Sequence, residues 1–240
     1  MFGSFLNVVI YRLPRGESLA FPGSHCPSCG HALVPFENVP LVSWVALRGR
    51  CRYCGVAIAS RYPLVETLTA CLFTLSFLEF SQPVVALGAC ALGALLIVIA
   101  FIDLDHLLVL DSTTIAGAVL GIALAFATHR IVTALEGALA GAAIFGAIHL
   151  LTRGAGMGLG DVKLAGMLGL FVGFPPMLWT AAAAFIIGAL LAIPVLLARR
   201  RGRRDALPFG PFLVIAAILA TFAPALFSGP YDAYRALFGN

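Results

Sequence analysis

Pro83-Val-Val-Ala-Leu-Gly-Ala-Cys90-Ala-Leu-Gly-Ala-Leu-Leu-Ile-Val-Ile-Ala100-Phe-Ile102 is twenty residues long without a charge, and Asp103 follows it at once. A helix of that length rises about 30 Å, the thickness of the hydrocarbon core of a bilayer. The rest of the chain has the same character. Apolar residues make up 61% of the 240 and charged residues 11%, against about 25% charged in soluble domains. Mean hydropathy is +1.01. Such a chain has too little polar surface to cover itself in water. The expected fold is an all-α polytopic membrane protein of about eight spans, the first one short.

Further spans are expected near 63–80, 112–128, 131–151, 164–182, 183–198 and 207–227. The boundary at 182 has an alternative, with Pro175-Pro176 as the turn and 176–198 as one span. Residues 1–11 cover only about 16 Å as a helix, a partial first span. No charged residue precedes it and no cleavage site follows, which argues against a secretory signal. Residues 12–62 form the polar insertion, rich in proline and glycine and expected to hold turns and short strands. Residues 63–240 form the membrane domain. No internal repeat is apparent.

Lys and Arg set the expected orientation. With 12–62 on the cytoplasmic side, alternate crossings put 103–111, 152–163 and 199–206 on that side too. Only Arg130 and Arg235 of the 15 basic residues then fall elsewhere, the positive-inside pattern. The net charge of +4 thus reflects topology, with no nucleic-acid partner implied. The basic stretch Arg199–Asp205 reads as an anchor at the lipid headgroups. Gly117 and Gly121 form a Gly-x-x-x-Gly pair suited to helix packing in lipid.

Four of the six cysteines lie in the insertion, as Cys26-Pro-Ser-Cys29 and Cys51-Arg-Tyr-Cys54. Each pair is followed by a glycine, Gly30 or Gly55. A C-x-x-C turn aims two thiolates at one point, and two such turns close a tetrahedral zinc site. With no ligand position left for water, a structural role is expected. His25 and His31 flank the site as bystanders. Cys71 and Cys90, inside apolar spans, read as small buried hydrophobes.

Acidic groups in lipid are costly, about 2.5–3.5 kcal/mol at a helix centre on insertion scales. Asp103, Asp105 and Asp111 follow the quoted span. Asp161 follows Gly154-Ala-Gly-Met-Gly158-Leu-Gly160. Although 57 residues separate Asp103 from Asp161, the expected topology puts both at one membrane face. Glycine permits close approach of another segment, and irregular backbone at membrane depth needs a wet cavity. Two neighbouring carboxylates share a proton, so that one activates water and the other acts as acid. No H-E-x-x-H or G-x-S-x-G competes. On these grounds alone, a two-aspartate protease and a proton-coupled transporter both fit.

Four stretches decide between them by resemblance: Gly3-Ser-Phe-Leu-Asn7-Val-Val-Ile-Tyr-Arg12-Leu-Pro14, the two C-x-x-C pairs, Phe101-Ile-Asp103-Leu-Asp105-His106, and Gly158-Leu-Gly160-Asp161-Val-Lys163. Arg61-Tyr-Pro-Leu-Val-Glu66 and Pro208-Phe-Gly-Pro-Phe212 are lesser echoes. Together and in this order they resemble the bacterial type IV prepilin peptidases, membrane aspartyl proteases with a Gly-x-Gly-Asp motif. The resemblance implies an inner-membrane aspartic endopeptidase with its active site and cysteine-rich loop facing the cytoplasm. It implies cleavage, after glycine, of the basic leader of type IV prepilins and type II secretion pseudopilins. It also implies methylation of the new N-terminal residue from S-adenosylmethionine; a peptidase without methylation is the alternative. Asp103 and Asp161 match the catalytic pair. Asp105, Lys163, Gly158 and Gly160 are candidates for supporting roles, and Gly3, Asn7 and Glu66 fall in the region tied to methylation. One departure is Leu110 where the family has proline before an aspartate, here Asp111, which loosens a turn.

Overall fold

The computed structural model describes residues 1–197 and 208–226, which are helical with no regular strand. The chain divides into two compact units, Met1–Leu75 and Ser76–Asn240.

In the first unit, α1 (Phe2–Arg12) pairs with the start of α3 (Arg61–Glu79). Gly3 makes the approach: a Cβ there would lie 2.7 Å from Glu66 Cα. Phe2 meets Phe73 with ring centroids 5.8 Å apart. Between the helices lie two 3-10 turns and the short α2 (Val42–Ala46). The expected strands of the insertion reduce to two isolated bridges, His25 with Ala32 and Arg50 with Ala57. The reason is that each cysteine turn folds back on itself, leaving no length of chain to extend a ladder.

Those bridges expose a repeat that the sequence reading missed. Shifted by 25 positions, each hydrogen bond recurs: Cys26 N–H to His31 O (2.9 Å) with Cys51 N–H to Val56 O (2.8 Å), and Leu33 N–H to Ser24 O (2.8 Å) with Ile58 N–H to Gly49 O (2.7 Å). Gly30 and Gly55 both have φ of +70°, the left-handed region that glycine enters without cost. Few side chains apart from Cys, Gly and Ala are shared, so the repeat is nearly silent in sequence.

The second unit is a helical bundle of α4 (Pro83–His106), α5 (Asp111–Ala127), α6 (Ile131–Leu151), α7 (Leu159–Val172), α8 (Pro176–Leu197) and α9 (Gly210–Phe222). Three helices among the described residues, Pro83–His106, Ile131–Leu151 and the Pro176–Ile193 stretch, are long and apolar enough to cross a bilayer; α5 and α9 are shorter apolar helices. The sixth and seventh spans divide at Pro175-Pro176 rather than at 182, because a proline at N1 starts α8. The stretch Arg199–Asp205 lies outside the described residues.

Helix α7 sits among α5, α6, α8 and α9, and its small residues set the packing. A Cβ on Gly169 would lie 2.2 Å from Gly137 O, and one on Gly141 would lie 2.5 Å from Ala165 O. Backbones of α6 and α7 thus touch, as small residues permit in lipid, where dispersion rather than water exclusion drives association. Gly117 and Gly121 of α5 receive Met167 and the Leu170–Phe171 edge of α7, as the Gly-x-x-x-Gly spacing predicts. A core of Leu96, Ile99, Phe145, Leu164, Leu168 and Leu213 links α4, α6, α7 and α9.

Candidate active site

The helix that carries the opening apolar run continues past Ile102 to His106, so Asp103 lies in its last turn. Leu107 ends it in the left-handed region, φ 54°, its N–H bonded to Asp103 O at 2.8 Å. Asp103 is only 5% exposed. Its Oδ2 accepts the N–H of Gly210, the first residue of α9, at 3.0 Å. A Cβ on Gly210 would lie 2.6 Å from that same oxygen. Glycine is therefore what lets the α9 backbone reach the carboxylate. The Pro208–Phe212 motif held this partner, but nothing in sequence tied it to Asp103, 107 positions away. Gly210→Ala is expected to push Asp103 out of place. Overpacking of this kind costs about 1–3 kcal/mol of stability, and displacing one carboxylate of the pair is expected to lower turnover roughly tenfold or more, read as kcat on a prepilin substrate with unchanged zinc content.

Asp161 stands in the first turn of α7, where its Oδ2 accepts the Gly158 N–H at 3.2 Å. The N-terminal capping role and the site role thus coexist in one side chain. Gly160 is needed for a close approach: a Cβ there would meet Val109 Cβ at 2.9 Å. Val109 belongs to the short link between α4 and α5 and is buried. The glycine before Asp161 therefore admits the link that follows Asp103. His149, near the end of α6, holds the glycine loop from behind, its Nδ1 being 2.7 Å from Met157 O. Neither Val109 nor His149 stood out in the sequence.

One cavity of about 260 Å³ collects these groups, lined by Asp103, Leu107, Leu108, Val109, Asp111, Gly158, Gly160, Asp161 and Lys163. Asp103 and Asp161, from different helices, both face this one cavity. Lys163 does not turn to Asp161; its Nζ lies 2.6 Å from Asp111 Oδ1 in an exposed pair at the cavity rim. Asp105 is exposed and outside the lining. Leu110, which replaces the expected proline, has φ −75° and ψ 135° and accepts from the Thr113 hydroxyl at 2.7 Å. That φ suits proline. Leu110→Pro is expected to stabilise the chain by about 0.4–1 kcal/mol, seen as a higher midpoint of thermal unfolding with cleavage unchanged.

In the first unit, Cys26, Cys29, Cys51 and Cys54 bring their sulfurs within 4.8 Å of one another, and Cys26 Sγ to Cys54 Sγ is 3.8 Å. A tetrahedral site with Zn–S of about 2.3 Å needs sulfurs about 3.8 Å apart, so the four fit a metal ion. All are free thiols. Backbone N–H groups of Cys29 and Ser28 donate to the Cys26 sulfur and lower its pKa to about 6, whereas burial and the three neighbouring sulfurs push Cys54 up to about 11, so the four thiols hold their protons unevenly. His31 meets Tyr53 with ring centroids 3.5 Å apart and planes tilted by 34°, linking the two turns through their side chains.

The remaining polar cluster surrounds α1. The Ser4 hydroxyl donates to Glu66 Oε1 at 2.5 Å, and Leu41 N–H donates to Glu66 Oε2 at 2.8 Å. Asn7 is 2% exposed and donates to Gly3 O and Tyr62 O, while its Oδ1 has no partner among the described residues. Arg12 is bound to Ser18 O and Pro22 O and shapes the loop that follows α1.

Comparison with known proteins agrees with this division. Residues 1–80 match the bacterial peptidase A24 N-terminal domain, and residues 90–193 match the type IV leader peptidase family. A prepilin leader peptidase/N-methyltransferase of Aeromonas hydrophila is 35% identical, over 92% of this chain and 86% of its own length. One of Pseudomonas aeruginosa is 35% identical over the same shares. One of Myxococcus xanthus is 44% identical over 83% of this chain, and the match spans 61% of that relative. No solved structure matches. With relatives this similar along nearly its whole length, the chain belongs to the type IV leader peptidase family.

Proposed function

We propose that this chain is a membrane aspartic endopeptidase that removes the leader of type IV prepilins and type II secretion pseudopilins, with Asp103 and Asp161 as its catalytic pair. The observation that carries the reading is the convergence of two carboxylates, from α4 and α7, on one cavity. Each has one oxygen committed to a backbone N–H, from Gly210 or Gly158. Each keeps the other for water or the scissile carbonyl. One carboxylate, ionised, takes a proton from water; its protonated neighbour donates to the carbonyl oxygen as water attacks. The nascent amine then takes a proton and leaves, with no covalent intermediate. Backbone bonds hold both groups before substrate arrives, so little reorganisation opposes the reaction.

Gly158 and Gly160 shape the loop; Lys163 and Asp111 form the rim, and Asp105 lies apart from the reaction. The four cysteines hold a structural zinc that gives the small insertion its core. The same chain methylates the new N-terminus. S-adenosylmethionine would supply the methyl group, and Ser4, Asn7 and Glu66 form the polar cluster of the unit that matches the N-terminal domain. The active site and the cysteine turns face the cytoplasm at the inner membrane, in keeping with the distribution of Lys and Arg.

A prepilin incubated with the purified chain and methyl-labelled S-adenosylmethionine tests both halves. Loss of the leader with label on the new N-terminus is expected. Cleavage without label would leave a peptidase alone, and no cleavage would remove the proposal.

A further inference from the structure

Leu33-Val-Pro-Phe36-Glu-Asn-Val39-Pro-Leu-Val42-Ser-Trp44-Val45-Ala-Leu47 is the most apolar part of the polar insertion, with Glu37 its one charged residue. A segment of this composition in a small metal-centred module is expected to supply its core. It does the opposite. Phe36 is 84% exposed, Val42 64% and Val45 68%, and Val39 between them is exposed too. These four are spaced by three. In a 3-10 turn, as over Pro35–Asn38, residues i and i+3 eclipse, and in α2 they share a face.

The opposite side of the segment is tied down. Leu41 N–H is bonded to Glu66 Oε2 at 2.8 Å. Trp44 donates through Nε1 to Ile58 O at 3.4 Å, and its ring lies over Gly49, where a Cβ would come within 2.9 Å. The exposed row is therefore held outward by contacts on its inner side. Glu66 is five residues into α3, about 7.5 Å along it, so the segment lies beside the first turns of a helix read as entering the membrane. Arg48, Arg50 and Arg52 follow directly and are exposed.

We propose that residues 36–45 form an in-plane membrane anchor, with Phe36, Val39, Val42 and Val45 seated at the boundary of headgroups and acyl chains of an anionic bilayer. An apolar row backed by arginines is the pattern of an interfacial segment: the apolar side chains insert, and the cations meet lipid phosphates. A patch of this kind facing water would be an aggregation site. The anchor holds the metal module against the bilayer surface, at the depth where α3 begins. It does not depend on the proposed peptidase chemistry.

The test uses the full chain in vesicles containing phosphatidylglycerol. In a Trp179→Phe background only Trp44 remains, and Val45→Trp adds a reporter on the outer face. Lipids brominated near the headgroup are expected to quench the added indole at least about twofold more than the Trp44 background, with iodide in the water reaching it poorly. Val42→Trp reports the same face if position 45 proves disruptive, and retained zinc verifies the fold. Iodide quenching without bromolipid quenching at both positions overturns the proposal. Protection from iodide that appears only when prepilin is added also overturns it, and assigns the row to substrate docking instead.

Discussion

Replacing either Asp103 or Asp161 with asparagine is expected to lower prepilin cleavage at least about a thousandfold, whichever of the two is changed. Asparagine keeps the shape and still accepts from the Gly210 or Gly158 N–H, so the helices keep their places. What it removes is the capacity to take or share a proton. A lone carboxylate facing a neutral amide can bind water, but it has no acid partner for the scissile carbonyl. Asp105→Asn is the matched control. Its side chain is exposed and outside the cavity lining, and cleavage is expected to stay within about twofold of the parent. A proton-coupled transporter predicts instead that the parent itself cuts no prepilin.

Removal of metal should have the next largest effect. Purified chain is expected to carry about one zinc, and Cys26→Ser or a strong chelator to release it. Structural zinc in small finger peptides contributes an apparent ~10–16 kcal/mol to folding. The insertion has little else to hold it, since its most apolar segment points outward. Loss of metal should therefore open residues 24–58 to limited proteolysis. Protection that is unchanged without zinc would show that the cysteines do not form its core.

Much of the fold was legible because lipid imposes simple rules. Spans follow from length and hydropathy, and the positions of α3, α5 and α6 agree with expectation within a residue or two. Where the reading slipped, a local rule lost to a different one. Length alone split 164–198 at 182, whereas Pro176 sets the break. The cysteine turns were plain from spacing, but their 25-residue repeat lies in backbone hydrogen bonds that unlike side chains can make equally well.

The candidate site was legible in part for a similar reason. Acids that are expensive in lipid stand out singly, so Asp103 and Asp161 were visible. Their partners are backbone groups and small residues. Gly210 earns its place through an absent Cβ, and Val109 and Gly160 through mutual contact. No composition or periodicity signals a contact between residues 107 positions apart. Lys163 had an evident neighbour in sequence, Asp161, yet pairs with Asp111, because the start of α7 meets the start of α5 at the rim.

The central claim is that Asp103 and Asp161 act as one unit. The most direct measurement is the cleavage rate of a prepilin in lipid vesicles by the parent, by Asp103→Asn, by Asp161→Asn and by the double variant. Groups that act together lose nearly everything at the first substitution. The account predicts that the double variant is no slower than either single one. Losses that multiply in the double variant, or substantial cleavage by either single variant, would contradict it.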